Sequence, residues 1–116
     1  MVEAAVASVT PGIAHPSAVT WINGRQAVVA QISREGRISS RELNRNLQSE
    51  AAFVARVVRT IGDQERVVIL GPSSIRLALE REYVSIYHRP ERLIDVEPEG
   101  VLGPEALAER LRILAA

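Results

Sequence analysis

The feature that most constrains the fold is an uninterrupted apolar run at residues 67–70, Val-Val-Ile-Leu, which ends at Gly71 and Pro72. A short run without polar alternation is typical of a strand that is covered on both faces of a parallel sheet. Parallel strands need long crossover connections, and these connections are right-handed. The run therefore predicts an α/β domain in which this strand lies inside the sheet.

Three patterns before this run predict an antiparallel meander. Residues 17–22 and 26–32 are rich in β-branched and other apolar residues, and Asn23-Gly24 lies between them. Asn-Gly predicts a type I′ hairpin turn, in which both residues take positive φ. Residues 37–43 predict a third, more polar strand, whose charges suit the edge of a sheet.

The period then changes from that of a strand to that of a helix. Phe53, Val57 and Ile61 recur at four-residue spacing, which is the stripe of an amphipathic helix. Ser49 is placed to act as the N-cap, and Gly62 follows the last turn. We therefore expect a helix between these two residues.

Two further helices and one strand are predicted after the apolar run. The second helix begins near Ser73 or Ser74, and its end is not marked in the sequence. Residues 93–96 predict a short fifth strand, and Pro104 is placed at the first position of the last helix. The apolar residues expected to face inward are Ile75, Leu77, Leu79 and Tyr83 in the second helix and Leu107, Leu111 and Leu114 in the last.

The element order β-β-β-α-β-α-β-α predicts a mixed α/β fold with helices on both faces. The simplest closure places strand four beside strand one and gives a five-stranded sheet in the order 3-2-1-4-5. This arrangement resembles that of ribonuclease H-like folds. We expect one domain over residues 17–116, with Trp21 packed beneath a helix, and a loosely attached arm over residues 1–16.

Composition excludes several kinds of chemistry. The 116 residues include no cysteine and only two histidines, so disulfides, thiol nucleophiles and zinc ribbons are ruled out. All fourteen basic residues are Arg, which excludes a P-loop lysine and is typical of a GC-rich bacterial genome. Strand one carries no acid, and Asp95 and Glu50 are too scattered to hold two metal ions. We expect no metal, no cofactor, no membrane span and a cytoplasmic protein.

Charge is unevenly distributed along a chain whose formal net charge is +0. Residues 21–60 contain seven Arg and three Glu, a net charge of +4, whereas the later residues are net acidic. A basic side can touch RNA phosphates, although a pI near 6.7 argues against tight binding by this domain alone. The residues predicted to contact RNA or the ribosome are Arg25, Arg37, Arg41, Arg45, Gln48, Arg56 and Arg59.

Two other candidate sites follow from local composition. The turn after the apolar run predicts an anion site at a helix N-terminus, with an ordinary N-cap as the alternative. A cluster of aromatic residues with Arg predicts a protein interface, with the rim of the core as the alternative. The anion site comprises Gly71, Ser73, Ser74 and Arg76, and the interface comprises Tyr83, Tyr87, His88 and Arg89.

Four short strings in this order resemble the middle domain of archaeal and eukaryotic class I peptide chain release factors, of Pelota proteins and of small bacterial translational machinery proteins. They are residues 18–21 (Ala-Val-Thr-Trp), 53–56 (Phe-Val-Ala-Arg), 66–73 (Arg-Val-Val-Ile-Leu-Gly-Pro-Ser) and 93–96 (Leu-Ile-Asp-Val). The resemblance covers residues 17–116 and implies a translation-associated domain.

In the release factors, the loop before the first helix carries Gly-Gly-Gln and promotes hydrolysis of peptidyl-tRNA. The matching residues are Asn46, Leu47 and Gln48, so both glycines are replaced. Pelota proteins also lack the motif and act in ribosome rescue. The resemblance therefore implies a non-enzymatic accessory that binds the ribosome or tRNA. The alternatives are a homodimerising or protein-interaction domain and a small-anion or nucleotide binder.

Overall fold

The computed structural model describes residues 14–71, 73–97 and 104–116, without the side chains of Ser73 and residues 94–97. The strands are β1 (Ser17–Ile22), β2 (Gln26–Ile32), β3 (Ile38–Asn44), β4 (Arg66–Leu70) and β5 (Leu93–Glu97). The helices are α1 (Glu50–Ile61), α2 (Ser73–Tyr87) and α3 (Pro104–Ala115), and a 3-10 turn, Pro90–Arg92, precedes β5.

The strands form one mixed sheet in the order β3-β2-β1-β4-β5. β2 pairs antiparallel with β1 and β3, whereas β4 pairs parallel with β1 and β5. The predicted mixed α/β class and the order 3-2-1-4 are confirmed. β1, β3, β4 and β5 point the same way, so they finish at one end of the sheet, which we call the carboxyl end. All three helices follow such strands and therefore begin at this end.

The helices cover both faces of the sheet. α1 and α2 pack on one face, where Phe53, Val57 and Ile61 are fully buried as their spacing predicts. α3 packs on the other face, where Leu107 and Leu111 share a cluster with Trp21. The expectation that Trp21 lies beneath a helix is confirmed. Each face of the central strands is therefore removed from water, which explains the uninterrupted apolar run of β4.

The boundaries of α1 are those that the sequence predicts. Ser49 Oγ accepts a hydrogen bond from Ala52 N at 3.1 Å and caps the first turn. At the other end, Gly62 takes φ +74 and donates its N–H to Val58 O at 3.0 Å. Both helix ends have satisfied backbone groups, and this fixes where the chain enters and leaves α1.

The predicted type I′ turn at Asn23-Gly24 is wrong, because neither residue takes positive φ. The loop between β1 and β2 has three residues, and Asn23 Oδ1 accepts hydrogen bonds from Arg25 N and Gln26 N, both at 2.8 Å. This side-chain turn replaces the expected backbone turn. The inward position expected for Leu77 is also wrong, since its side chain is 42% exposed.

The chain leaves β4 through a close approach at Gly71, which takes φ +134. A Cβ at this position would lie 2.1 Å from Ile22 O, so only glycine leaves room for the end of β1. α2 then runs to Tyr87 and ends where His88 takes φ +56 and donates its N–H to Val84 O at 2.7 Å. A left-handed residue after the last turn is a common helix stop, filled here by His.

Three residues of the predicted arm, 14–16, are described, and they are tied to the domain. Ala14 N and His15 N donate to Ala115 O at 2.9 and 3.0 Å, and Pro16 O accepts from Glu65 N at 2.9 Å. His15 Nδ1 lies 2.9 Å from Glu65 Oε1. The first thirteen residues lie outside the described ranges. Within those ranges, no helix has the length and apolar character that crossing a membrane requires.

Candidate functional site

Residues 45–49, which we call the β3–α1 loop, lie at the carboxyl end of the sheet. Gln48 N donates to Arg45 O at 3.0 Å and closes a tight turn. Asn46 takes φ +51 in this turn, a conformation that Asn tolerates better than most residues. Leu47 is fully exposed at the tip. The loop therefore has a defined backbone and presents one apolar side chain to solvent.

Arg45 fixes the loop against the turn between β1 and β2. Its Nε donates to Gln48 O at 2.9 Å, and its Nη1 donates to Gly24 O at 3.2 Å. Its backbone N–H donates to Arg25 O at 2.8 Å. The Arg25 side chain is consequently brought beside the loop, and an open recess lies between the turn and the loop.

Arg56 fixes the loop from the side of α1. Its Nη1 donates to Asn44 O and to Gln48 Oε1, both at 2.9 Å. Arg56 is half-buried, and Phe53, one turn earlier on α1, is fully buried. The carboxamide oxygen of Gln48 is therefore engaged within the protein. In this way the structure brings Arg25, Arg45, Gln48 and Arg56 together around one loop.

In the described part of the chain, the arginines of this region carry charge that no ion pair neutralises, although Glu50 follows the loop in the first turn of α1. Within the described ranges, none of the six arginines predicted to contact RNA forms an ion pair, whereas Arg34 pairs with Glu65 at 2.8 Å and Arg92 pairs with Asp63. Arg45 and Arg56 bond only to neutral oxygens, so their charge remains. The positive ends of the helix dipoles point to the same end of the sheet. The arrangement suits a polyanionic partner.

The other predicted RNA-contact residues lie away from the loop. Arg41 is exposed on β3, in register with Val29, and Arg37 is exposed just before β3. Arg59 is exposed in the last turn of α1. The predicted set therefore divides into a group at the carboxyl end and a group nearer the opposite end.

The predicted anion site also lies at the carboxyl end of the sheet. Gly71 is buried, Ser74 is exposed and Arg76 is half-buried, while the side chain of Ser73 is not described. Three strand spacings, about 14 Å, separate β4 from β3. Two sites that are distant in sequence therefore share one end of the domain. Ligand binding at Gly71, Ser73, Ser74 and Arg76 stays a prediction.

The predicted interface is divided by burial. Tyr83 is fully buried and donates its Oη–H to Gly62 O at 3.2 Å, so it belongs to the core, which was the alternative interpretation. Burial raises the pKa of its hydroxyl. Tyr87 is half-buried, with its ring centroid 4.8 Å from that of Tyr83. His88 and Arg89 are exposed. A partner surface at Tyr87, His88 and Arg89 stays a prediction.

The sequence did not reveal which residues hold the loop or what it exposes. Arg45 and Arg56 were predicted as RNA contacts, yet both also bond to backbone oxygens distant in sequence. The one available signal was Asn46, since Asn is enriched at positive φ. Nothing in the pattern marked Leu47 as exposed.

Among the described residues, no group of three His, Asp or Glu side chains is placed to hold a metal ion.

Comparison with known proteins identifies the fold. The sequence matches no protein-family model, and it matches no curated protein. The structure shares its class of α/β fold with part of a solved protein structure. That protein is Pelota from Archaeoglobus fulgidus, with a TM-score of 0.63 and 15% sequence identity. The match covers 90% of this chain but 33% of the Pelota chain, so this chain spans about a third of that protein.

Proposed function

We propose that this protein is a non-enzymatic, cytoplasmic, translation-associated accessory that binds the ribosome or tRNA through the arginines of the β1–β3 meander and of α1, which are joined by the β3–α1 loop. The fold is similar to that of one third of Pelota. We further propose that it belongs to the ribonuclease H-like class, and the strand order of the sheet supports this proposal. The observation that carries the proposal is the loop itself. Its backbone is fixed by Arg45 and Arg56, and neither arginine is neutralised by a carboxylate.

Binding is favoured over catalysis by the state of the loop residues. A catalytic carboxamide must reach its substrate, but Gln48 Oε1 accepts a hydrogen bond from Arg56. Leu47 projects its side chain where a glycine would admit close approach of another molecule. An exposed apolar residue between cations is suited to contact with a ribose or base, while the arginines hold phosphates.

Arginines that serve only as phosphate contacts can be separated from those that fix the loop. Arg25, Arg41 and Arg59 are exposed, and no side-chain hydrogen bond or ion pair holds them within the described ranges. Changing all three to Gln removes charge without disturbing the loop. The control removes the same charge at three exposed arginines outside the meander and α1, namely Arg81, Arg89 and Arg112. Two of them lie 3.9 Å from a carboxylate, Arg89 from Glu91 and Arg112 from Glu109. The control also tests the alternative interface at Arg89.

The experiment is co-sedimentation of tagged protein with ribosomes at low salt, from growing and from stressed cells. We expect the wild type to co-sediment, the triple variant to lose roughly tenfold or more in its bound fraction, and the control to stay near the wild type. The expected loss follows from the strong salt dependence of phosphate contacts. Absence of the wild-type protein from the ribosome pellet, or an equal loss in the control, contradicts the proposal.

A further inference from the structure

Two recesses lie side by side along the α1-facing side of β3. One is lined by Arg41 and Thr60, the other by Arg37, and both share Gln31 and Ser39. We call this continuous feature the β3 groove. Its floor is rigid, because Gln31 Nε2 donates to Thr60 O at 2.9 Å and to Ile61 O at 2.7 Å. Gln31 lies on β2, so its side chain connects α1 to the sheet beneath the groove.

The groove carries a single row of positive charge. Arg37 and Arg41 are four residues apart, about 13 Å along an extended strand, and Arg45 continues the row by a similar distance. No acidic residue lines either recess, and Glu42 pairs in register with Val28 on the opposite face. The row ends beyond Arg37, where Arg34 is neutralised by Glu65.

A single row of cations matches one phosphate backbone. The residues lining the two recesses include no aromatic side chain within the described part of the chain. Proteins that bind unpaired strands gain roughly 1–3 kcal/mol for each base stacked on an aromatic ring. The recesses offer no such stacking energy, because none of their described lining residues has an aromatic ring on which an unpaired base could stack. A base-paired RNA keeps its stacking internal and presents a backbone that is already ordered.

We infer that the β3 groove binds one phosphate backbone of base-paired RNA, independently of its sequence, as an extension of the β3–α1 loop contact. This inference rests on the proposed function. Ser39 lines both recesses and lies between Arg37 and Arg41 in the sequence, so its hydroxyl can donate a hydrogen bond to a phosphate or 2′-hydroxyl oxygen. The Thr60 hydroxyl donates to Arg56 O at 2.9 Å and can therefore only accept a hydrogen bond from the RNA. The groove thus selects RNA by its shape and backbone.

The test compares two labelled RNAs by fluorescence anisotropy at low salt. One is a short hairpin, and the other is an oligouridylate with the same number of phosphates. We expect the hairpin to bind about tenfold more tightly or better. Arg37→Gln and Arg41→Gln should each weaken hairpin binding and lower the slope of log affinity against log salt by about 0.9. Arg81→Gln, an exposed position on α2, is the control and should change neither quantity.

Each other outcome overturns the inference. Equal or tighter binding of the oligouridylate assigns the groove to unpaired strands. Unchanged slopes in Arg37→Gln and Arg41→Gln place the contact elsewhere. Absence of RNA binding, with a doubled mass by light scattering, assigns the exposed strand β3 to self-association. If ribosome co-sedimentation persists in these cases, the proposed function stands and only the groove is rejected.

Discussion

Replacing Gly71 with Ala tests the geometry at the centre of the sheet. The new Cβ would lie 2.1 Å from Ile22 O and 3.1 Å from Ile22 C, which are backbone atoms of the adjacent strand and cannot rotate away. The residue would also keep φ +134, a region that is almost confined to glycine and costs about 1–3 kcal/mol for other residues. Separation of the ends of β1 and β4 adds an overpacking cost of about 1–3 kcal/mol.

We therefore expect Gly71→Ala to lower the free energy of unfolding by about 2–6 kcal/mol, a large part of the roughly 5–15 kcal/mol of a typical domain. Urea unfolding followed by the fluorescence of buried Trp21 measures this change. The control is Gly24→Ala, because nothing lies within 4 Å of a Cβ there and φ is not positive. We expect the control to stay within about 1 kcal/mol of the wild type. A loss below about 2 kcal/mol in Gly71→Ala would refute the reasoning.

Two further predictions concern pH. Burial raises the pKa of Tyr83, so its contribution to stability is present below the ordinary value of 10.0 and is lost as pH rises above it. Tyr83→Phe loses the hydrogen bond to Gly62 O, which should lower the free energy of unfolding by about 1 kcal/mol at neutral pH. The free energy of unfolding of this variant, measured with urea, should fall less at alkaline pH than that of the wild type. An equal fall would contradict this prediction. Hydrogen bonds from His15 and then Arg34 lower the pKa of Glu65, so its contribution is present above 4.5 and is lost as pH falls. Glu65→Gln should flatten the acid limb of a fluorescence titration, and parallel curves would argue against the contact.

Much of the fold was predictable because its elements are marked by local chemistry. The bounds of β1 and β2 follow from β-branched and apolar runs, and those of α1 follow from a capping Ser49 and a terminal Gly62. The turn at Asn23 was mispredicted because the Asn side chain competes with the backbone for the same hydrogen bonds. Leu77 lies in α2, where some apolar side chains, such as those of Leu77 and Ile86, are exposed. Hydrophobic periodicity alone therefore could not show whether the Leu77 side chain is buried.

The candidate site was less predictable because it depends on contacts between distant residues. Arg45 bonds to Gly24 O across 21 positions, and Arg56 bonds to Asn44 O across 12. No local pattern encodes such bonds. The close approach at Gly71 likewise depends on β4 lying beside β1. The β3–α1 loop and the turn after β4 are distant in the sequence. Only the strand order shows that both lie at the carboxyl end of the sheet.

The hydrogen bonds from Ala14 and His15 to Ala115 O have a practical consequence for handling this domain. The polypeptide enters β1 and leaves α3 at one point, on the side opposite the exposed Leu47. Such adjacency makes a domain tolerant of circular permutation and of insertion into a host loop. A dye, a surface tether or a fused reporter joined at this point would leave the β3–α1 loop accessible, although it would lie close to the Arg37 end of the β3 groove, which Pro16 also lines.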